Sequence, residues 1–378
     1  MRRMIGRRRL LQATGLLLAL SPSRAALAEL LRQGGAPQNL ATPTHLFDRL
    51  ITPVPDFFVR SHFGPPALHR DRPLDIEGLV ATKLTLTAAE LEKSFKPVTV
   101  TAVLQCAGNG RALHTPRVPG IQWVHGAMGQ ATFTGVRLRE LLEKAGLAAE
   151  HLKGTHVHLR GADAPPKPQI PAFVRSIPIE RALDPNTLVA YRMNGEPLTL
   201  AHGAPLRLVV PGWAGDHWVK WLTKIAVQKE EAKGFFMETA YRMPTEKVEP
   251  GAPVPPEKMR PASTFPVKSI IGAPTYGTRT SIGRQKITGV AFSGEAPIAK
   301  VEVSLDDGKT WKAAKLEGEP GVGRWVVFTL EVDRKEPGRM RALARATDRK
   351  GNTQPEHPDW NPSGYFWNGW HSVAWEVA

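Results

Sequence analysis

The chain has 378 residues, one cysteine and a formal net charge of +15. That length is enough for two domains with separate cores, and a single cysteine excludes an intrachain disulfide, a four-thiolate zinc site and a Cys-x-x-Cys-His haem attachment. The basic charge raises nucleic-acid binding as a function class, but no helix-turn-helix, zinc-finger or aromatic-basic RNA motif accompanies it.

The N-terminus explains part of that charge. Arg7-Arg8-Arg9-Leu10-Leu11-Gln12 is a twin-arginine pattern, followed by an apolar stretch over 13–20 and by Ala26-Leu27-Ala28 before Glu29. The stretch is far shorter than the roughly 20 residues a bilayer span needs, so it reads as an export signal with an A-x-A cleavage site. Residues 1–28 hold six arginines and no acid, and removing them lowers the charge from +15 to +9. The expectation is a periplasmic protein exported by the twin-arginine route, with no membrane span and no nucleic-acid partner. An anionic small substrate or an acidic protein partner suits the remaining charge.

Phe57-Phe58-Val59-Arg60-Ser61-His62 puts a cation and an imidazole two residues apart, on one face of an extended chain. Residues 88–93 read as a short helix. Residues 98–105 alternate apolar and polar and read as a strand. That strand ends at Cys106, which opens the small-residue loop Ala107-Gly108-Asn109-Gly110-Arg111. A lone cysteine is commonly a small buried hydrophobe; at a strand-to-loop corner beside Arg111 it is also a candidate thiolate for a metal or a substrate. Trp123 follows in Gly120-Ile121-Gln122-Trp123. The leucines at 138, 141, 142 and 147 predict an amphipathic helix over 136–148. His202-Gly203-Ala204-Pro205 leads into a buried strand over 206–210, and Trp213 to Trp221 forms a Gly-containing loop that carries Lys220.

Seven prolines between 244 and 266 mark a stiff connector. Beyond it the pattern is all-β. Val301, Val303 and Leu305 alternate with polar residues, Asp306-Asp307-Gly308-Lys309 supplies a hairpin turn, and runs at 325–330 and 339–346 continue the spacing. The fold expected is α+β: a mixed α/β domain over 35–245, a proline-rich linker over 246–265, and an immunoglobulin-like sandwich over 266–378. Arg60, Arg111, Arg207 and Lys220 are suited to an oxyanion or phosphate. No Walker-type or Gly-x-Gly-x-x-Gly loop is present, so an ordinary nucleotide is not expected.

Gln105-Cys106-Ala107-Gly108-Asn109-Gly110-Arg111 resembles the molybdenum-ligand loop of the sulfite oxidase family of molybdopterin enzymes. The likeness extends across Phe58-Val59-Arg60-Ser61-His62, Gly126-Ala127-Met128-Gly129, Tyr191-Arg192-Met193-Asn194-Gly195, His202-Gly203-Ala204-Pro205-Leu206-Arg207 and Val219-Lys220-Trp221-Leu222. The closest resemblance is to bacterial periplasmic sulfite dehydrogenases. It implies Cys106 as the protein thiolate on molybdenum, beside the dithiolene of molybdopterin. It implies Phe58, His62, Asp163, His202, Arg207 and Lys220 as pterin-binding, and Arg60, Arg111, Trp123 and Tyr241 as lining the substrate pocket. The implied reaction oxidises sulfite to sulfate and passes electrons to a c-type cytochrome, as a bound subunit or a transient acceptor, since this chain carries no haem motif. The sandwich implies a homodimer or a heteromer. Sulfane-sulfur dehydrogenation and sulfoxide reduction on the same cofactor are the competing activities, and a non-catalytic exported binding module is a further alternative. One departure stands out: animal enzymes place an arginine near the Asn-Pro-x-Gly segment, where this chain has Ser363.

Overall fold

The computed structural model describes residues 30–33, 37–67 and 71–378; the export signal expected over 1–28 lies outside them. Two five-stranded sheets build the first domain. One runs Glu196–Pro197, Leu188–Met193, Met128–Arg137, Val98–Gln105, with Arg207–Val209 also paired to Leu188–Met193. The other runs Leu84–Leu86, Leu74–Gly78, Leu222–Gln228, His156–Gly161, Val174–Pro178. Phe133, Leu138, Val157, Val189, Leu208 and Ile225 share one core between them.

Short helices trim these sheets. Helix Ala88–Ser94 starts at Thr87, whose side chain accepts from Glu90 N while Glu90 reaches back, a capping box. The helix expected over 136–148 is shorter and spans Leu138–Lys144. Val136 and Arg137 stay in the preceding strand, paired with Val189 and Leu188. Ladder bonds therefore claim the residues that helical spacing alone assigned to the helix.

The second domain is a two-sheet sandwich. The sheet Lys268–Ala273, Gly283–Phe292, Val326–Arg334, Lys315–Glu317 accompanies the sheet Arg279–Thr280, His371–Val377, Gly338–Asp348, Ile298–Ser304, Lys312–Ala313. Ile287, Val301, Phe328, Ala344 and Trp375 fill its core. The expected hairpin turn sits at Asp307 and Gly308, with φ of 58° and 85°, a left-handed pair that Asp and Gly tolerate best.

The proline-rich segment is fastened at both ends to the first domain. Arg242–Pro244 pairs antiparallel with Met259–Pro261, and Ala214 N donates to Ser263 O at 2.7 Å. A third core crosses the boundary, with Val103, Ala107, Met128 and Tyr241 against Phe265, Phe292, Trp325 and Tyr365. Polar bonds lock the same seam: Val103 N donates to Gly323 O at 2.7 Å, and Trp325 N donates to Gln130 Oε1 at 2.7 Å. The sandwich thus covers the outer edge of the strand that ends at Cys106 and holds that corner still.

Candidate active site

Cys106 continues the ladder by one rung, its N–H donating to Ala127 O at 2.9 Å. Its carbonyl accepts from Asn109 N at 3.0 Å, closing a tight turn. The buried Asn109 side chain braces the turn, accepting from Ala127 N at 3.1 Å and donating to Gln105 Oε1 at 3.3 Å. A Cβ at Gly108 would stand 2.8 Å from the Arg111 guanidinium, so glycine leaves room for Arg111 to lie across the loop. The thiol is half-buried and opens on a cavity. Burial pushes its pKa up, while Arg60 and Arg111 pull it down.

Phe58, Arg60, His62, Cys106, Asp163, His202, Arg207, Lys220 and Tyr241 all line this one cavity. Arg111 and Trp123 do not. Arg111 donates to Ile121 O and Ser363 O, both at 3.1 Å, and lies over the Tyr365 ring at 5.3 Å. Trp123 is fully buried in the first-domain core. Two backbone carbonyls draw the guanidinium away from the cavity, and the indole serves as packing behind its wall.

At one end, Arg60 Nη2 lies 3.2 Å from His62 Nδ1, and His62 Nε2 lies 2.6 Å from Tyr241 OH. Arg60 Nη2 also lies 3.5 Å from His62 Nε2, so the guanidinium can donate to either ring nitrogen. In the Nε2-protonated tautomer Tyr241 OH accepts from His62, and its own hydrogen is free to donate elsewhere. Burial, then Arg60, lower the His62 pKa to about 2, so the ring is neutral. Burial raises the Tyr241 pKa, so the phenol keeps its proton.

At the other end, Arg207 Nη1 donates to His202 O at 2.9 Å, and Lys220 Nζ donates to Ala201 O at 2.9 Å. His202 sits in the short turn Leu200–His202 and is held through Thr199 Oγ1 at 2.8 Å and Phe57 O at 3.3 Å. Among the described residues, neither Arg207 nor Lys220 has a carboxylate within ion-pair distance. Burial lowers Arg207 to about 9 and Lys220 to about 7. Burial likewise raises the Asp163 carboxyl to about 6. Asp163 acts on Lys220 electrostatically without forming an ion pair with it, and buried cations so weakly compensated are costly unless an anion joins them.

Three groups beside this cavity escaped the sequence reading. Arg175, on the strand Val174–Pro178, forms an ion pair with Asp216 Oδ2 at 2.7 Å and meets His217 Nε2 at 2.9 Å. Asp216 lines the cavity, and burial lifts its pKa to about 7 in spite of Arg175. The signal available was a charged residue inside an apolar strand, paired with nothing nearby in the chain.

A molybdopterin suits this donor set. Among the described residues no three His, Cys, Asp or Glu side chains converge to hold a metal ion, so a metal at Cys106 needs further ligands from outside the protein, as a dithiolene supplies. Arg207 and Lys220, bonded to backbone carbonyls rather than held in ion pairs, suit the phosphate of such a cofactor.

Residues 62–236 match the oxidoreductase molybdopterin binding domain, and residues 260–378 match the Mo-co oxidoreductase dimerisation domain. The chain is 35% identical over 348 residues to the sulfite oxidase of Gallus gallus, covering 89% of this chain and 75% of that protein. It is 33% identical over 352 residues to the sulfite oxidase of Arabidopsis thaliana, covering 87% and 88%. Against the mitochondrial sulfite oxidase of Macaca fascicularis the identity is 36% over 350 residues, and the chain spans 63% of that protein's length. Among solved structures, the sulfane dehydrogenase SoxCD from Paracoccus pantotrophus superposes with a TM-score of 0.80 at 29% identity, covering 95% of this chain and 93% of that one.

Proposed function

From this chain's membership of the sulfite oxidase family of molybdopterin enzymes, we propose that it oxidises sulfite to sulfate with a molybdenum–molybdopterin cofactor held through Cys106. One observation carries the reading: a lone thiol opens on a cavity lined by Arg60, Arg207 and Lys220, none of which forms an ion pair with a carboxylate among the described residues. Bound there, the cofactor supplies two-electron redox chemistry and oxygen-atom transfer. Arg207, Lys220, His202, Phe58 and Asp163 hold its pterin and phosphate end.

The opposite end suits the substrate. Arg60 offers a fixed positive charge to a small oxyanion. With its proton on Nε2, the neutral His62 donates to Tyr241 and frees the phenol to donate its own hydrogen toward a sulfite oxygen. The aromatic walls, including Phe173 and Trp218, exclude water and so strengthen both contacts. Overall, sulfite and water give sulfate, two protons and two electrons. The electrons leave one at a time to an external carrier, proposed as a periplasmic c-type cytochrome, either a subunit or a transient partner. The twin-arginine N-terminus supports export to the periplasm, and the dimerisation domain supports a homodimer or heteromer.

Likeness to a sulfane dehydrogenase favours a second reading, with sulfane sulfur as substrate on the same cofactor. Purified native protein, assayed for molybdenum and for sulfite-dependent reduction of ferricyanide and cytochrome c, separates the two. The expected result is about one molybdenum per chain and reduction of at least one acceptor. Fully loaded protein inert toward sulfite but active on a sulfane-sulfur donor overturns the first reading in favour of the second.

A further inference from the structure

Tyr241 is held in a conformation it would not choose. Its φ is 56°, a left-handed value that is an outlier for a bulky side chain and persists only where the surroundings impose it. Its backbone is pinned on both sides, the N–H donating to Tyr365 OH at 3.2 Å and the carbonyl accepting from Ala262 N at 2.8 Å. Its ring lies parallel to Tyr365 with centroids 5.7 Å apart. The Arg175 guanidinium lies 5.2 Å from the Tyr241 ring centroid.

Arg175 is itself clamped. Asp216 Oδ2, His217 Nε2 and the carbonyl of Phe236 all converge on its two terminal nitrogens. The side chains of Arg175, Asp216 and His217 are at most 1% exposed. A buried ion pair seldom adds stability over an apolar replacement. This one brings together two segments 41 residues apart in sequence, beside the ring of Tyr241, which lines the same cavity as Cys106. A cation on a π-face fixes ring position as well as polarity.

We propose that Arg175, oriented by Asp216 and His217, is a positioning residue for Tyr241: it sets where the phenol hydroxyl points in the cavity. The inference rests on the reading that Tyr241 meets the substrate. Removing the guanidinium lets the ring rotate about its strained backbone, and the 2.6 Å contact with His62 is lost.

The test combines kinetics with a signal that needs no turnover. In molybdenum-loaded protein, Arg175→Gln lowers kcat for sulfite about tenfold, in the range that second-layer partners of a metal site command, with a smaller change in KM. Tyr241→Phe lowers it at least as much. In the Tyr241→Phe background, Arg175→Gln then changes kcat less than about twofold, because a positioning effect vanishes with its target. Arg175→Lys restores part of the loss. The chain has four tyrosines, so a 13Cζ-tyrosine spectrum resolves them, with Tyr241 assigned by its Phe variant. Arg175→Gln shifts or broadens the Tyr241 resonance and leaves that of the exposed Tyr276 in place. Independent, multiplicative losses in the double variant, or an unmoved Tyr241 resonance in folded protein, overturn the proposal. If Arg175→Gln does not accumulate, Asp216→Asn enters the same cycle and spectrum. If wild-type protein ignores sulfite, the substrate assignment fails while the spectrum still decides the positioning role.

Discussion

Arg175 and Arg207 are both buried beside the same cavity, yet only Arg175 has a carboxylate within reach. Asp216 stands 2.7 Å from Arg175. Arg207 has backbone carbonyls, His202 O at 2.9 Å and Trp218 O at 3.3 Å, and the rings of Phe133 and Trp218. Lys220 repeats the second pattern, with one carbonyl and the Trp221 ring at 4.2 Å. A paired buried charge has its opposite charge inside the protein, whereas one satisfied only by dipoles is poised for an outside anion. The difference divides the cavity wall into a part that serves the fold and the tyrosine, and a part that serves the ligand.

The largest expected effect tests whether that ligand reaches Cys106. Cys106→Ser should lower turnover at least a hundredfold, since loss of a metal ligand exceeds the 10- to 100-fold cost of losing an outer partner. Circular dichroism should be unchanged, because one hydroxyl replaces one thiol at a half-exposed position. Wild-type turnover from this variant would remove the thiolate from the site.

The comparison itself makes opposite forecasts for cofactor-free protein. Arg175→Met leaves Asp216 buried without its partner and should cost about 3–5 kcal/mol in urea unfolding. Arg207→Met removes a buried charge that has no carboxylate partner, and should leave stability within about 1 kcal/mol of wild type or raise it. The same Arg207→Met protein should retain little molybdenum. Equal destabilisation by both substitutions would erase the distinction between the two arginines.

The pH dependence of the cofactor-free protein sharpens it. Burial lowers Lys220 and Lys268 from 10.5 to about 7 in the fold. Between about 7 and 10 the unfolded chain binds more protons at these lysines than the folded chain does. Their contribution to unfolding free energy therefore rises with pH across that window. Below 7 both states are protonated and the penalty is fully present. Lys220→Met should remove part of the slope, and a bound phosphate-bearing cofactor should flatten it further by stabilising the charged amine. Chemical denaturation at pH 7, 8, 9 and 10 reads this directly.

Much of the architecture could be read from spacing. Alternation over 98–105 and the small residues after Cys106 marked the strand and its corner, because a two-residue period has one structural solution. Asp307-Gly308 marked the sandwich hairpin for the same local reason. Arg60 and His62 were placed together by two-residue spacing and do meet, at 3.2 Å. The Arg175–Asp216 pair was invisible, since 41 residues separate its members and only the packing of the strand Val174–Pro178 beside the Gly215–His217 turn joins them. Trp123 and Arg111 do not line the cavity for a related reason: the direction of each side chain depends on carbonyls and rings that fold in from elsewhere.

Arg111 offers the smallest effect and the finest test of the division. It belongs to neither part of the wall, and it lies over the Tyr365 ring, donates to Ser363 O and acts on Cys106 electrostatically. Ser363 also donates to Arg242 O at 3.0 Å, so the second domain is tied into this edge of the site. A positive charge set behind one aromatic layer acts on a substrate anion through a partly screened field, worth about 1 kcal/mol, or roughly fivefold in affinity. Arg111→Met should therefore raise the sulfite KM about fivefold with kcat and molybdenum content little changed. The gap between variant and wild type should narrow as salt rises, because the added ions screen the same field. Loss of molybdenum in parallel with KM would move Arg111 to the cofactor end and redraw the boundary between the two halves of the cavity.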